Sequence, residues 1–279
     1  MNPCHFSVYK INLISILFIL NLSFQSYAQK KTYKLYPAAD GAITLASSVL
    51  TFGGLRSLNA LSDIPLDEVL SLDPMDINSF DRKALNQNIY ELDEAIRTSD
   101  LSMYLTVSMV LSLGIDRKGR DNATEIIIMY LEAVSTSLAL QSWVSYGIDR
   151  YRPVTYMTDV DVSRRTDYRN KSSFYSGHTS TTATCSFFIA KVWSDLHPEL
   201  GGKKWLLFTA AIVPPLLVGN FRIKGGKHFY TDVMTGAVIG GAFGILVPEI
   251  HKITREDARV SLYPAISLHS TGLGMTIKL

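Results

Sequence analysis

The sequence predicts an all-α fold: a helical bundle embedded in a membrane, with about five spanning helices, one interfacial helix and a short β-like C-terminal tail. Three observations predict it. Apolar stretches at 41–58, 101–115, 123–148, 179–195, 205–221 and 232–249 are too long for strands. Hydrophobic residues make up 47% and charged residues 19% of the 279, which lies between a soluble globule and a polytopic membrane protein. Gly236, Gly240 and Gly244 recur every four residues and Pro214-Pro215 sits mid-stretch, both as lipid-embedded helices tolerate. A soluble helical enzyme with buried helices is the alternative, because the apolar cores are short and Glu125, Glu132 and Lys191 interrupt them.

Residues 1–28 carry Lys10, an apolar run from Ile11 to Leu22 and small residues at Ser26 and Ala28, the layout of an export signal cleaved near Ala28. Cleavage would remove Cys4 and leave Cys185, so no intrachain disulfide is expected. Residues 29–100 form an N-terminal helical and irregular segment. Within it, the Ser- and Gly-rich stretch 41–58 suits an interfacial or packed helix, and the acidic segment 59–80 contains Pro65 and Pro74. Asp81 to Glu94 reads as a polar helix. Residues 101–250 hold the helical core, and 251–279 form a tail whose alternating apolar residues suit a β-hairpin. A net charge of +2 offers nothing to a nucleic acid.

Helix polarity predicts the topology. Arg152, Ser176 to His178 and Arg222 to His228 meet on one face if 179–195 leaves it and 205–221 returns. After signal cleavage the chain starts outside, so an outward-facing site needs two crossings before residue 149, supplied by 101–115 and 123–148. The opposite loops hold Arg117, Lys118, Arg120, Lys203 and Lys204, which fits a cytoplasmic placement. The protein is then expected in a bacterial cell envelope, with its site facing the periplasm.

The residues on that face suit a phosphate. Arginine binds phosphate oxygens in pairs and stays charged, as Arg152 and Arg222 would. Ser176-Gly177-His178 precedes a helix whose free N–H groups form an oxyanion cradle, with Gly177 allowing close approach. His228 and Asp232 are four apart on one helix face, so the carboxylate can accept a hydrogen bond from one imidazole nitrogen and leave the other free to attack phosphorus. His178 is placed to act as the acid.

Together these segments resemble the three signature motifs of the type-2 phosphatidic acid phosphatase and vanadium haloperoxidase superfamily. Its pattern is Lys, six residues, Arg-Pro; Pro-Ser-Gly-His; and Ser-Arg, five residues, His, three residues, Asp. Arg152-Pro153, Ser176-Gly177-His178 and Arg222, His228, Asp232 fit it, over residues 123–249. The resemblance implies a phosphohistidine on His228, oriented by Asp232, with His178 protonating the leaving group. It implies a phosphate clamp of Arg152, Arg222, Ser176 and the Gly177 amide, and neither metal nor cofactor. Three positions depart: Ser145 stands for the first lysine, Tyr175 for the proline and Phe221 for the serine. Ser145 supplies no cation, which argues against a haloperoxidase; Arg150, Lys224 or Lys227 are candidates to compensate, and the run Arg164, Arg165, Arg169, Lys171 could help capture substrate.

The expected function is a phosphomonoesterase acting on a phosphorylated lipid or isoprenyl (pyro)phosphate, with the membrane and its lipid as partners. Two alternatives stand beside it. One is a soluble periplasmic acid phosphatase of broad specificity; the other is a degenerate membrane protein that binds phosphate headgroups without turnover.

Overall fold

The computed structural model describes residues 31–253, 260–267 and 270–277; the export signal expected over 1–28, with Cys4, lies outside the described residues. Its core is a bundle of long helices: α1 (Pro37–Asn59), α2 (Leu92–Ser108), α3 (Ala123–Gly147), α4 (Gly177–Leu196), α5 (Trp205–Lys224) and α6 (Tyr230–His251). Each expected apolar stretch falls on one of them, with 101–115 shared between α2 and a 3₁₀ turn at Met109–Gly114. Two antiparallel strands, β1 (Val260–Ser267) and β2 (Ser270–Ile277), make up the tail.

α4 is the central helix. It packs on α2, α3, α5 and α6, and most of its residues are buried. Its polar side chains are satisfied inside the bundle: Ser180 and Thr184 both bond Ser137 of α3. The glycine row of α6 sets how closely the two backbones approach. A Cβ on Gly236, Gly240 or Gly244 would lie 2.6, 2.1 or 2.4 Å from the carbonyl oxygens of Ser176, Ser180 and Thr184. Those separations admit only hydrogen on the facing Cα, and this is the small-residue packing the sequence anticipates.

One of the two prolines in α5 is accommodated by a neighbour. Pro215 has no N–H for the carbonyl of Ala211 one turn earlier. The Ser186 hydroxyl of α4 donates to that carbonyl instead, at 2.9 Å. Interior charges are likewise paired: Lys191 meets Asp195 and Glu249, and Glu125 meets Lys31.

Four helical segments are long and apolar enough to cross a membrane: Pro37–Asn59, Ala123–Gly147, Pro198–Lys224 and Tyr230–His251. Their outer faces expose large apolar side chains, among them Leu45, Phe52, Leu131, Val213, Leu216 and Val238. A belt of that extent belongs in lipid rather than water. Exposed Tyr36 and Trp205 mark one rim of the bundle, and Trp143 and Tyr146 the other, as interfacial aromatics do.

Two local expectations are revised. Of the interfacial and packed placements expected for 41–58, α1 takes the packed one, and it is long and apolar enough to cross. It runs parallel to α3 along its length, with Ser47 Oγ 2.7 Å from Ser135 Oγ, Gly54 against Ser142 and the Trp143 indole donating to the Leu50 carbonyl. Its Ser and Gly residues form this seam. The polar helix expected over Asp81–Glu94 is instead one turn at Ser79–Arg82, a 3₁₀ turn at Lys83–Leu85 and an irregular link to α2. Asn88 accounts for part of the break, since its side chain accepts the Tyr90 N–H and competes with helical bonding.

Candidate active site

The end of α3, the starts of α4 and α6 and the end of α5 lie at one end of the bundle, and the loops between them carry the expected site residues. The 224–228 turn ties two of these segments together. Lys227 N–H donates to the Arg222 carbonyl at 3.0 Å, while the Gly226 carbonyl accepts from Val154 N–H at 3.0 Å. Gly226 has φ +66°, the left-handed conformation that glycine adopts without strain.

His228 is buried, and its Nδ1 lies 2.7 Å from the Ser173 carbonyl oxygen. A carbonyl only accepts, so Nδ1 carries the proton and Nε2 keeps its lone pair. Asp232 Oδ2 is further off, 3.8 Å from Nδ1. The hydrogen bond that the spacing suggested for Asp232 is therefore made by a backbone carbonyl. The Asp232 carboxylate accepts instead from Ser173 Oγ at 2.6 Å, from Phe229 N–H at 2.8 Å and from Arg150. It locks the loop before α4 to the start of α6. Burial pushes the His228 imidazole down to about 3; Arg152 and Arg222 add to that shift against the opposing pull of Asp232. The imidazole is neutral at physiological pH, as a nucleophile must be.

His178 Nε2 lies 2.9 Å from Asp100 Oδ1, and the same oxygen is 3.2 Å from Arg222. Burial, with repulsion from Arg222, holds the His178 imidazole below its ordinary range, and the Asp100 carboxylate opposes that shift. Sequence reading passed over Asp100, which lies two turns into α2 with no motif around it. The fields of Arg152 and Arg222 reach both His178 and His228, so the four side chains share one site.

Both guanidinium groups have donors to spare. The Nε atoms of Arg152 and Arg222 are buried without a hydrogen-bond partner. Burial, together with repulsion from Arg222 and Arg169, pushes Arg152 below the ordinary arginine range. Two neighbouring cations with unspent donors suit an anion.

Ser176 is fully buried. Its Oγ lies 2.9 Å from Thr179 Oγ1 and caps α4 by accepting the Thr179 N–H. That leaves the first amides of the helix, from Gly177 onward, to face an anion. A Cβ on Gly177 would lie 2.9 Å from the Gln141 side chain.

Ser145 is turned away from this site. Its Oγ donates to the Phe174 carbonyl at 2.9 Å and accepts from Gln141 at 2.7 Å. Of the candidates to replace the missing lysine, Arg150 is spent: it bridges Asp232, Asp81 and Thr231 and stacks 4.5 Å from the Phe229 ring. Asp81 also accepts from Thr231 N–H and Oγ1, so it supports Arg150 from behind, a role its position in a polar stretch gave no sign of. Lys224 is exposed at the end of α5. Lys227 has no ion-pair partner among the described residues, and burial followed by repulsion from Arg152, Arg222, Arg164 and Arg169 pushes its ammonium down to about 7. In the basic run, Arg164 pairs with Asp93, Arg169 pairs with Asp167, and buried Arg165 donates to the Thr155 carbonyl.

Comparison with known proteins bears on this arrangement. Residues 126–255 match the family described as the PAP2 superfamily. Phospholipid phosphatase 1 of Rattus norvegicus is 28% identical over 114 residues, which is 35% of this chain and 39% of the rat protein. The chain thus spans well under half the length of that relative. A solved structure, the first transmembrane PAP2-type phosphatidylglycerolphosphate phosphatase from Bacillus subtilis, aligns over 75% of this chain and 94% of its own, with a TM-score of 0.46 and 20% identity. The stretch 126–255, which holds the whole site except Asp81 and Asp100, is thus the part of this chain that is similar to the PAP2 superfamily.

Proposed function

We propose that this chain is a membrane phosphatase that removes phosphate from a phosphorylated lipid through a phosphohistidine on His228. The reading rests on one observation above the others. Arg152 and Arg222 hold buried unpaired donors, and Lys227 an ammonium with no ion-pair partner among the described residues, beside two imidazoles, one held by a backbone carbonyl and the other by a carboxylate. In the first step His228 Nε2 attacks phosphorus. The N–P bond forms as the P–O bond to the alcohol breaks, and His178 gives its proton to the departing oxygen. In the second, His178 takes a proton from water, the resulting hydroxide oxygen bonds to phosphorus, and the N–P bond breaks to release inorganic phosphate. Arg152, Arg222, Lys227 and the first amides of α4 hold the three phosphoryl oxygens throughout. No step calls for a metal ion. Asp100 occupies the place of the anion when substrate is absent and moves aside when phosphate enters.

A lipid is the substrate class because the site lies at one end of a bundle whose flanks are lipid-facing. The orientation follows from charge. With α1 alongside α3, three helices precede Arg152, so residue 37 and the site lie at opposite ends. Arg117, Lys118, Arg120, Lys203 and Lys204 cluster at the residue-37 end and assign it to the cytoplasm, with the site outside.

A phosphate-release screen over purified phosphatidic acid, phosphatidylglycerol phosphate and isoprenyl pyrophosphate tests the proposal. Release from at least one of them, lost in His228→Ala and inhibited by vanadate, is the expected result. Full activity in His228→Ala, or binding of every lipid without release, would end it.

A further inference from the structure

Far from the phosphate site, Asp40, Glu132 and His251 converge from three helices, and all three are buried. Asp40 lies in the first turn of α1, Glu132 in the first half of α3 and His251 at the end of α6. His251 is 19 residues beyond Asp232 on the same helix, so the two clusters are separated by roughly 28 Å along α6.

We propose that Asp40, Glu132 and His251 bind a divalent first-row metal ion, of the zinc or manganese kind, that staples α1, α3 and α6 together. His251 Nδ1 lies 2.8 Å from the carbonyl oxygen of Val247. Nδ1 must therefore carry the proton, which turns the Nε2 lone pair inward, the arrangement in which a second partner orients a metal-binding imidazole. Facing Nε2 are Asp40 Oδ1 at 3.2 Å and Glu132 Oε2 at 3.6 Å. Ligand atoms about 2.1 Å from a tetrahedral ion are about 3.4 Å apart, which these separations straddle. Asp40 is itself oriented, because its Oδ2 accepts the Tyr36 N–H at 2.7 Å.

Glu132 separates a metal from a proton. Its Oε2 has no hydrogen-bond partner, although the residue is only 7% exposed. A proton on Nε2 can be shared well with one carboxylate at a time, and the closer Asp40 would take it. That leaves Glu132 Oε2 without a partner, so in the metal-free protein this carboxyl must take up a proton of its own or stay an uncompensated buried anion, an expensive state inside a bundle. A dication accepts both carboxylates and the imidazole together. Its charge matches theirs, since the described residues provide no lysine or arginine paired with either acid. Imidazole with two carboxylates suits zinc, manganese or iron rather than an all-oxygen ion.

The test uses the full chain purified in detergent, stripped with chelator, and titrated separately with Zn²⁺ and Mn²⁺. Bound metal is counted after gel filtration. One tightly held equivalent is expected, with an upward shift in Tm on loading. Glu132→Gln, which keeps shape and removes charge, should weaken binding by at least the ~10–100-fold that loss of an outer-shell partner costs, and abolish the Tm shift. A half-buried cluster of His197, Glu199 and Asp116 could also take up zinc, and Glu132→Gln leaves it intact. Asp40→Asn serves as a second variant, and helical circular dichroism confirms folding of each. A stripped wild type that takes up neither ion, or a folded Glu132→Gln protein that binds as tightly as wild type, overturns the proposal. The readout is metal content, so it stands or falls independently of phosphatase activity.

Discussion

His228 and Lys227 are adjacent in sequence, and burial acts on both, with different consequences. The imidazole becomes firmly neutral, whereas the ammonium is left close to the point of losing its charge. Lys227 is charged below its pKa, so its contribution to phosphate capture is full in mild acid and fades as pH rises through about 7. kcat/KM should therefore fall across neutral pH in the wild type. In Lys227→Arg the fall should move to higher pH, and in Lys227→Met it should disappear along with about 100-fold of the rate, near 3 kcal/mol of transition-state stabilisation. Measured pH–rate profiles check this, and an unchanged profile in Lys227→Arg would remove Lys227 from the site. Asp100 makes the opposite contribution. Its carboxylate competes with substrate for Arg222 and His178, so Asp100→Asn should bind vanadate a few-fold more tightly, while slowing turnover by withdrawing support from the His178 proton. Inhibition constants and kcat measured on the same preparation separate the two effects.

At the scale of elements, α4 and α6 are held by backbone proximity rather than by large side chains. The distance from a Cβ on Gly240 to the Ser180 carbonyl oxygen would be 2.1 Å, a clash with rigid backbone that no rotamer change relieves. Gly240→Val should separate the helices and cost about 1–3 kcal/mol. Because Ser176 to His178 open α4 and Asp232 opens α6, the same substitution should lower kcat in detergent even below the melting transition. A thermal melt with an activity assay at the same temperature tests it; undisturbed activity with a lowered Tm would show that the site tolerates the displacement. The Ser186 bond to the Ala211 carbonyl is a smaller feature of the same kind, worth about 1 kcal/mol, and Ser186→Ala measures it.

For the whole molecule, α1 changes the topology deduced by counting. Two crossings before residue 149 put the site on the side where the mature chain begins; three put it on the other. The basic loops favour a site facing out, which requires the chain to enter α1 from the cytoplasmic side. The export-and-cleavage reading of residues 1–28 requires the reverse. Single cysteines at Asn88, near the site, and at Lys203, at the opposite end, decide between them in intact cells. Labelling of the Asn88→Cys protein alone by an impermeant maleimide is expected, whereas labelling of Lys203→Cys alone would turn the site inward.

Several features were legible in the chain because they are local. Each apolar stretch among the described residues became helical, since length and uniform apolarity leave the backbone no other way to satisfy its polar groups in lipid. The glycine row announced a close helix pair, and the placing of arginines, histidines and Asp232 at helix ends announced that these side chains gather at one end of the bundle. Asp100, Asp81 and the Ser173 carbonyl were not legible. Each acts through a partner 55 to 150 residues away, and a polar residue in a polar stretch looks the same whether it faces water or a buried cation. The place of α1 was hidden for a related reason: small residues suit both an interfacial helix and a packed seam, and the facing row on α3 distinguishes them. The sequence by itself determined which segments are helical and which residue types meet at their ends, because propensity and periodicity act within a few residues. Only the tertiary structure decided the partners — which carbonyl fixes His228, which lysine is buried beside the arginines, and which acids surround His251 — because distance through space has no counterpart in spacing along the chain.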